Sequence, residues 1–175
     1  MVEQKATQEA YLEAYEQNAD AIFRFVYFRT RDREDARDIV QETFLRTWRY
    51  LTEGKQIDEL RAFLFRTARN LLYDMTRQKT TRNTGSLDAY LSEGGDIAEN
   101  VEGPNYDPLD LERAMKLLGE LEPPLYREAV HLRYIEELGV GEIATILGVS
   151  ENVVSVRINR GINKLKKLLP HEPTR

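Results

Sequence analysis

Glu142-Ile143-Ala144-Thr145-Ile146-Leu147-Gly148-Val149-Ser150-Glu151-Asn152-Val153-Val154 is the stretch that decides the architecture of this chain. Ile143, Ala144 and Leu147 share one side of a short helix. Gly148 tolerates a left-handed backbone, and Ser150 offers a hydroxyl to cap a second helix, which turns Val154, Ile158 and Leu165 inward. Two helices crossing steeply through so short a turn need a small residue where they touch, here Ala144, and a glycine at the turn. The pattern predicts a helix-turn-helix. Its second helix carries Glu151, Asn152, Ser155, Arg157, Asn159 and Arg160 on polar faces, with Lys164, Lys166 and Lys167 toward its end. Such a helix enters the major groove of DNA, where arginine forks suit guanine edges and phosphate oxygens alike. An ordinary helical hairpin with lysines complementing the helix dipole shares the pattern. The motif alone does not say which kind of regulator carries it.

Upstream of the motif, Leu125 to Ile135 reads as a helix, Pro123-Pro124 as a break, and Leu109 to Leu121 as another helix. Periodicity is then lost back to Asn83. That stretch holds Gly85, Gly94, Gly95, Gly103, Pro104 and Pro108 among scattered acids, a composition that buries too little to offset ordering entropy. It is expected to be a flexible linker over 83–108, separating domains at 1–82 and 109–175. At about 25 residues it averages about 30 Å as a coil and reaches about 85 Å extended.

The first domain reads as three helices. From Gln8 to Arg29 the expected buried stripe is Leu12, Tyr15, Ala19, Ile22, Phe23 and Val26. A second helix, capped by Asp32 and running to about Tyr50, turns Ala36, Val40, Phe44, Thr47, Trp48 and Leu51 inward. A third begins near Asp58 and buries Leu60, Leu64, Ala68, Leu71 and Met75. No strand and no internal repeat is apparent. The fold class is all-α: two small helical domains, the second containing the helix-turn-helix.

Charge and composition narrow the function. There is no cysteine, and His131 and His171 lie far apart without carboxylate clusters, which argues against a thiolate or zinc site. No Gly-rich phosphate loop or nucleophile elbow appears, so an enzyme has little support. No signal peptide or membrane-length apolar run is visible, and a cytoplasmic protein without membrane insertion is expected. The net charge of −5 runs against a nucleic-acid binder, but the charges are segregated. Arg61, Arg66, Arg69, Arg77, Lys79 and Arg82 face only Asp74 between residues 61 and 85. Residues 86–112 hold eight acids and no cation, and residues 150–169 are again basic.

The run Asp32-Arg33-Glu34-Asp35-Ala36-Arg37-Asp38-Ile39-Val40-Gln41-Glu42-Thr43-Phe44-Leu45-Arg46-Thr47-Trp48 resembles the polymerase-binding helix of the extracytoplasmic-function (ECF) bacterial RNA polymerase sigma factors. Arg61-Ala62-Phe63-Leu64-Phe65-Arg66-Thr67-Ala68-Arg69-Asn70-Leu71-Leu72-Tyr73-Asp74 is similar to the family's promoter-melting helix, and Glu142 to Leu165 to its C-terminal helix-turn-helix. The matches occur in the family's order. Ser155 and Val156 depart from it, standing where a lysine and a serine are common. So does Gly161, where alanine is usual and where an interior glycine costs about 1 kcal/mol.

The resemblance implies a factor without catalysis or cofactor that binds core RNA polymerase, through the clamp of its largest subunits, and directs promoter-specific initiation. Asp38, Gln41, Glu42 and Leu45, at three- and four-residue spacing, would meet the polymerase; unpartnered, they would be a solvated face. Arg61, Phe63, Arg66, Arg69, Asn70, Tyr73 and Arg77, with the loop from about Thr52 to Ile57, would capture the melted minus-ten element, rings stacking on bases and cations holding the backbone. Phe63 and Tyr73 could equally belong to the core. Asn152, Ser155, Arg157, Arg160 and Lys164 would read the minus-thirty-five element. An anti-sigma factor is a candidate further partner. The alternative is a helix-turn-helix regulator whose N-terminal half senses a ligand or dimerises.

Overall fold

The computed structural model describes residues 2–82 and 108–168. These form seven helices and no strand: α1 (Val2–Thr30), α2 (Arg33–Thr52), α3 (Leu60–Arg82), α4 (Pro108–Gly119), α5 (Pro124–Tyr134), α6 (Val140–Leu147) and α7 (Glu151–Leu168). The all-α class expected from sequence is the class observed. Contacts divide the chain into two compact units, Met1–Pro104 and Asn105–Arg175. The expected linker lies outside the described residues except for Pro108, its last residue, which opens α4. No described helix is long and apolar enough to cross a membrane.

In the first unit α1, α2 and α3 each pack against the other two. The core is Ile22, Phe25 and Val26 from α1, Ala36 and Phe44 from α2, and Ala62, Leu64, Phe65 and Ala68 from α3. Phe25 and Phe65 meet edge to face with centroids 5.5 Å apart, an arrangement contributing about 1 kcal/mol beyond the area buried. Asp32 caps α2 as its position suggests, its Oδ1 accepting from the amides of Glu34 at 2.8 Å and Asp35 at 3.0 Å. The Asp35 amide, helped by that of Glu34 and by Lys79, holds the Asp32 carboxyl below its ordinary pKa. Lys79 in turn pairs with Asp35, joining the end of α3 to the start of α2.

The buried stripes differ from the expected ones in part. On α1, Leu12 and Tyr15 are 53% and 47% exposed, while Ala14, Asn18, Ala21, Phe25 and Phe28 are buried. α1 touches both other helices, so the buried face is the one turned between its two neighbours, not the one that links the most apolar letters. Asn18 enters that face because its amide donates to Ala14 O at 2.8 Å. On α2, Ile39 and Thr43 are buried, and Trp48 and Leu51 only half so. The Thr43 and Thr47 hydroxyls return to the Ile39 and Thr43 carbonyls at 2.6 and 2.8 Å, which lets them enter the core. On α3 the deepest residues include Phe65 and Leu72, with Leu60, Leu71 and Met75 at the margin.

In the second unit α7 is the hub, packing on α4, α5 and α6. Met115, Leu118, Leu121, Val130, Leu132, Leu138, Ile143, Ile146, Val154 and Ile158 are buried around it. Gly148 takes the left-handed conformation, φ 65°, and its amide and that of Val149 both donate to Ala144 O. The α6–α7 turn is thus closed as its sequence requires. Gly161 lies where α7 crosses α5: a methyl there would stand 2.5 Å from Val130 Cγ2. The glycine that looked like a propensity penalty is a packing requirement.

Candidate functional site

Three exposed helix faces carry the residues singled out from sequence. The first is on α7. The Val153 amide reaches Ser150 Oγ at 3.4 Å, a long contact at the start of the helix. Val154, Ile158 and Gly161 face inward, and Asn152, Val153, Val156, Asn159 and Arg160 are exposed on the opposite side. Ser155 and Arg157 are half-buried at the margins of that face rather than at its middle. Arg160 Nη1 donates to the Tyr126 hydroxyl at 3.3 Å. Lys164 Nζ donates to Glu122 O at 2.8 Å and lies 5.7 Å from the centre of the Tyr126 ring. The two cations are therefore held together at the start of α5, a contact with Tyr126 that sequence spacing gave no means of finding.

The second face is on α3. Arg66, Asn70, Tyr73 and Arg77 recur every three or four residues and are all exposed. Arg69 is half-buried beside them, its guanidinium 4.7 Å from the centre of the Tyr73 ring. Arg77 pairs with Asp74 at 2.7 Å. Phe63 is half-buried, its ring 5.0 Å from that of Tyr50, which in turn lies 4.8 Å from Lys55 Nζ in the α2–α3 loop. A surface of three aromatic rings, Tyr50, Phe63 and Tyr73, and several cations results. Arg61 does not join it: spacing puts it on the stripe of Phe65, Ala68 and Leu72, and it lines an open pocket with Glu13, Gln17 and Asn18 of α1. Arg82 is outside the described side chains.

The third face is on α2. Asp38, Gln41 and Leu45 are exposed, and Glu42, half-buried, pairs with Arg46 at 2.6 Å. α1 flanks this face: Tyr15 packs on Phe44 with centroids 4.7 Å apart, and Tyr11 lies 4.9 Å from Trp48 and donates to Phe44 O at 3.0 Å. Leu12 and Tyr15, expected in the core, are instead exposed on α1.

Comparison with known proteins matches residues 14–82 to sigma-70 region 2 and residues 111–165 to sigma-70 region 4. The chain is 30% identical over 157 residues to the ECF RNA polymerase sigma factor SigM of Bacillus subtilis, covering 89% of this chain and 93% of SigM. The chain belongs to the ECF sigma factors. This sigma factor is also 33% identical over 173 residues to SigE of Mycolicibacterium smegmatis, covering 94% of its own length but only 63% of SigE. Among solved structures it resembles the sigma factor RpoE of Bartonella quintana, crystallised with the anti-sigma factor NepR, at a TM-score of 0.71 and 23% identity, covering 91% of this chain and 96% of that one. That likeness speaks to the fold. The region 2 match spans the α2 and α3 faces of the sigma factor, and the region 4 match spans its helix-turn-helix.

Proposed function

We propose that this ECF sigma factor binds core RNA polymerase and directs it to start transcription at specific promoters, with no catalysis or cofactor of its own and in the cytoplasm. The single observation that carries this is the order of the two matches: region 2, then region 4, each falling on a helical unit with an exposed face of the right chemistry. The regulator reading is not favoured, because the N-terminal half matches sigma-70 region 2 and not a sensing or dimerisation domain.

The domain division at 1–82, 83–108 and 109–175 belongs to the same proposal. Asp38, Gln41, Glu42 and Leu45 on α2 meet the clamp of the polymerase. The exposure of Asp38, Gln41 and Leu45 supports that role, since a docking face must be accessible before it is occupied. Phe63, Arg66, Arg69, Asn70, Tyr73 and Arg77 hold the melted minus-ten strand. Tyr73 is exposed enough to stack on a base, worth about 1–3 kcal/mol, while the arginines neutralise the backbone. Arg61 contributes at most from the edge of that surface. Asn152, Arg160 and Lys164 meet the minus-thirty-five duplex, with Ser155 and Arg157 at the margins of that face. An anti-sigma factor, the kind of partner crystallised with the Bartonella protein, is the proposed regulator.

Run-off transcription with core enzyme tests the assignment residue by residue. Gln41→Ala should weaken association with core and leave promoter preference intact. Arg160→Ala should retain core binding and lose discrimination at the upstream element. The reverse pattern, or no effect of either, contradicts it.

A further inference from the structure

The outward face of α7 is not uniformly polar. Val156 stands at its middle, with Asn152 and Val153 four and three residues before it and Asn159 and Arg160 three and four residues after. All five are exposed, Val153 at 38% and Val156 at 39%. Neither valine serves the core, which this helix builds from Val154 and Ile158 on its other side. Nor does local structure favour them, because β-branched side chains lose rotamer freedom in a helix.

Two valines a turn apart among side chains rich in hydrogen-bonding groups form a small apolar island in a basic setting. Arg157, Arg160, Lys164, Lys166 and Lys167 lie on the same helix, so the surface favours a polyanion over an apolar protein partner. In the major groove the apolar feature a base pair presents is the C5-methyl of thymine, which contacts small apolar side chains. Asparagine suits the N6 and N7 edge of adenine, and arginine the O6 and N7 edge of guanine.

We infer that Val153 and Val156 are specificity-determining residues that read thymine methyl groups in the upstream promoter element, flanked by adenine contacts from Asn152 and Asn159. The inference rests on the minus-thirty-five role proposed above and adds to it the base that the centre of the helix selects. It also gives Val156 a function at a position where the family commonly has serine. A hydroxyl there hydrogen-bonds, whereas a valine methyl discriminates thymine by contact alone.

The test uses the full chain bound to core polymerase, with promoter templates randomised upstream of a fixed minus-ten element. Selected templates should carry thymine at one or two fixed upstream positions. Replacing those thymines one at a time by deoxyuridine, which removes only the methyl, should weaken promoter binding about threefold to fivefold for the wild type. Val156→Ser should bind dT and dU templates equally at one such position. Both valines are exposed, so folding is not at stake, and the circular dichroism of the variant should match wild type. Selection without thymine, or equal binding of dT and dU by wild type while Arg160→Ala still loses upstream discrimination, overturns the valine inference and leaves the minus-thirty-five assignment standing. No upstream selection at all, with Arg160→Ala indistinguishable from wild type, overturns both.

Discussion

His131 Nε2 lies 3.0 Å from Glu136 Oε1, and neither side chain reaches solvent. The pair bridges the last turn of α5 and the turn that leads to α6, where the Ile135 and Glu136 amides both donate to His131 O. Arg133 adds a hydrogen bond to Leu138 O at 2.9 Å across the same turn. The first helix of the helix-turn-helix thus takes its direction from a buried polar contact as well as from apolar packing. Glu136→Ala should destabilise the second unit by about 3 kcal/mol, since a buried polar group loses its partner. Chemical denaturation followed by a probe in that unit checks this, and a loss under about 1 kcal/mol would mean the pair is structurally dispensable.

Gly161 yields a prediction opposite in sign to helix propensity. Alanine is normally preferred to glycine inside a helix by about 1 kcal/mol. Here the added methyl meets Val130 Cγ2 at 2.5 Å, on a stiff, buried side chain. Gly161→Ala should lower the stability of the second unit by about 1–2 kcal/mol, as overpacked sites do. Pairing it with Val130→Ala should restore part of the loss relative to Val130→Ala alone. Thermal melts of the four-member cycle measure the coupling.

Asp32 gives the first unit a pH dependence. Its folded-state pKa is depressed, chiefly by the Asp35 amide, so its stabilising effect is present above the ordinary carboxylate range and is lost as pH falls through the folded value. Asp32→Ala should cost about 1 kcal/mol at neutral pH, the usual loss of an N-cap. The gap between wild type and variant should close on acidification below about pH 4. A constant gap across that range would show that the carboxylate charge plays no part.

Arg160 and Tyr126 can be separated by substitution. Tyr126→Phe removes the hydroxyl that accepts from Arg160 and keeps the ring beneath Lys164. It should reduce upstream-element binding modestly, about twofold to fivefold, the share of one exposed hydrogen bond. Arg160→Ala should cost tenfold or more if it reads a base edge, at about 1–3 kcal/mol per good contact. Competition binding with upstream-element duplexes at fixed salt gives both values.

The helix order, the Asp32 cap and the Gly148 turn were legible in the sequence because each is a local matter of a few residues. Burial on α1 was less so. Leu12 and Tyr15 continue an apolar period that looks like a core stripe, yet the direction of α1's neighbours selects Ala14, Asn18 and Phe25 instead. The placement of Arg61 was hidden for the same reason: its helical phase matches Phe65 and Leu72, and it lines a pocket with Glu13, Gln17 and Asn18 of α1. The His131–Glu136 contact and the crowding at Gly161 each join chain segments through tertiary packing, which periodicity does not report. On α7 the cations were evident at once, while the exposure of Val153 and Val156 emerged only when the buried side of the helix was known.

Two units acting together on a polymerase that lacks a specificity subunit are the centre of the proposed function. Mapping of RNA 5′ ends from core enzyme on a genomic fragment library, with and without this chain, is the most direct test. Discrete start sites that appear only with the chain, each with a shared upstream element at fixed spacing, are the predicted result. Starts unchanged by the chain, together with duplex binding equally tight in the absence of core, would contradict it.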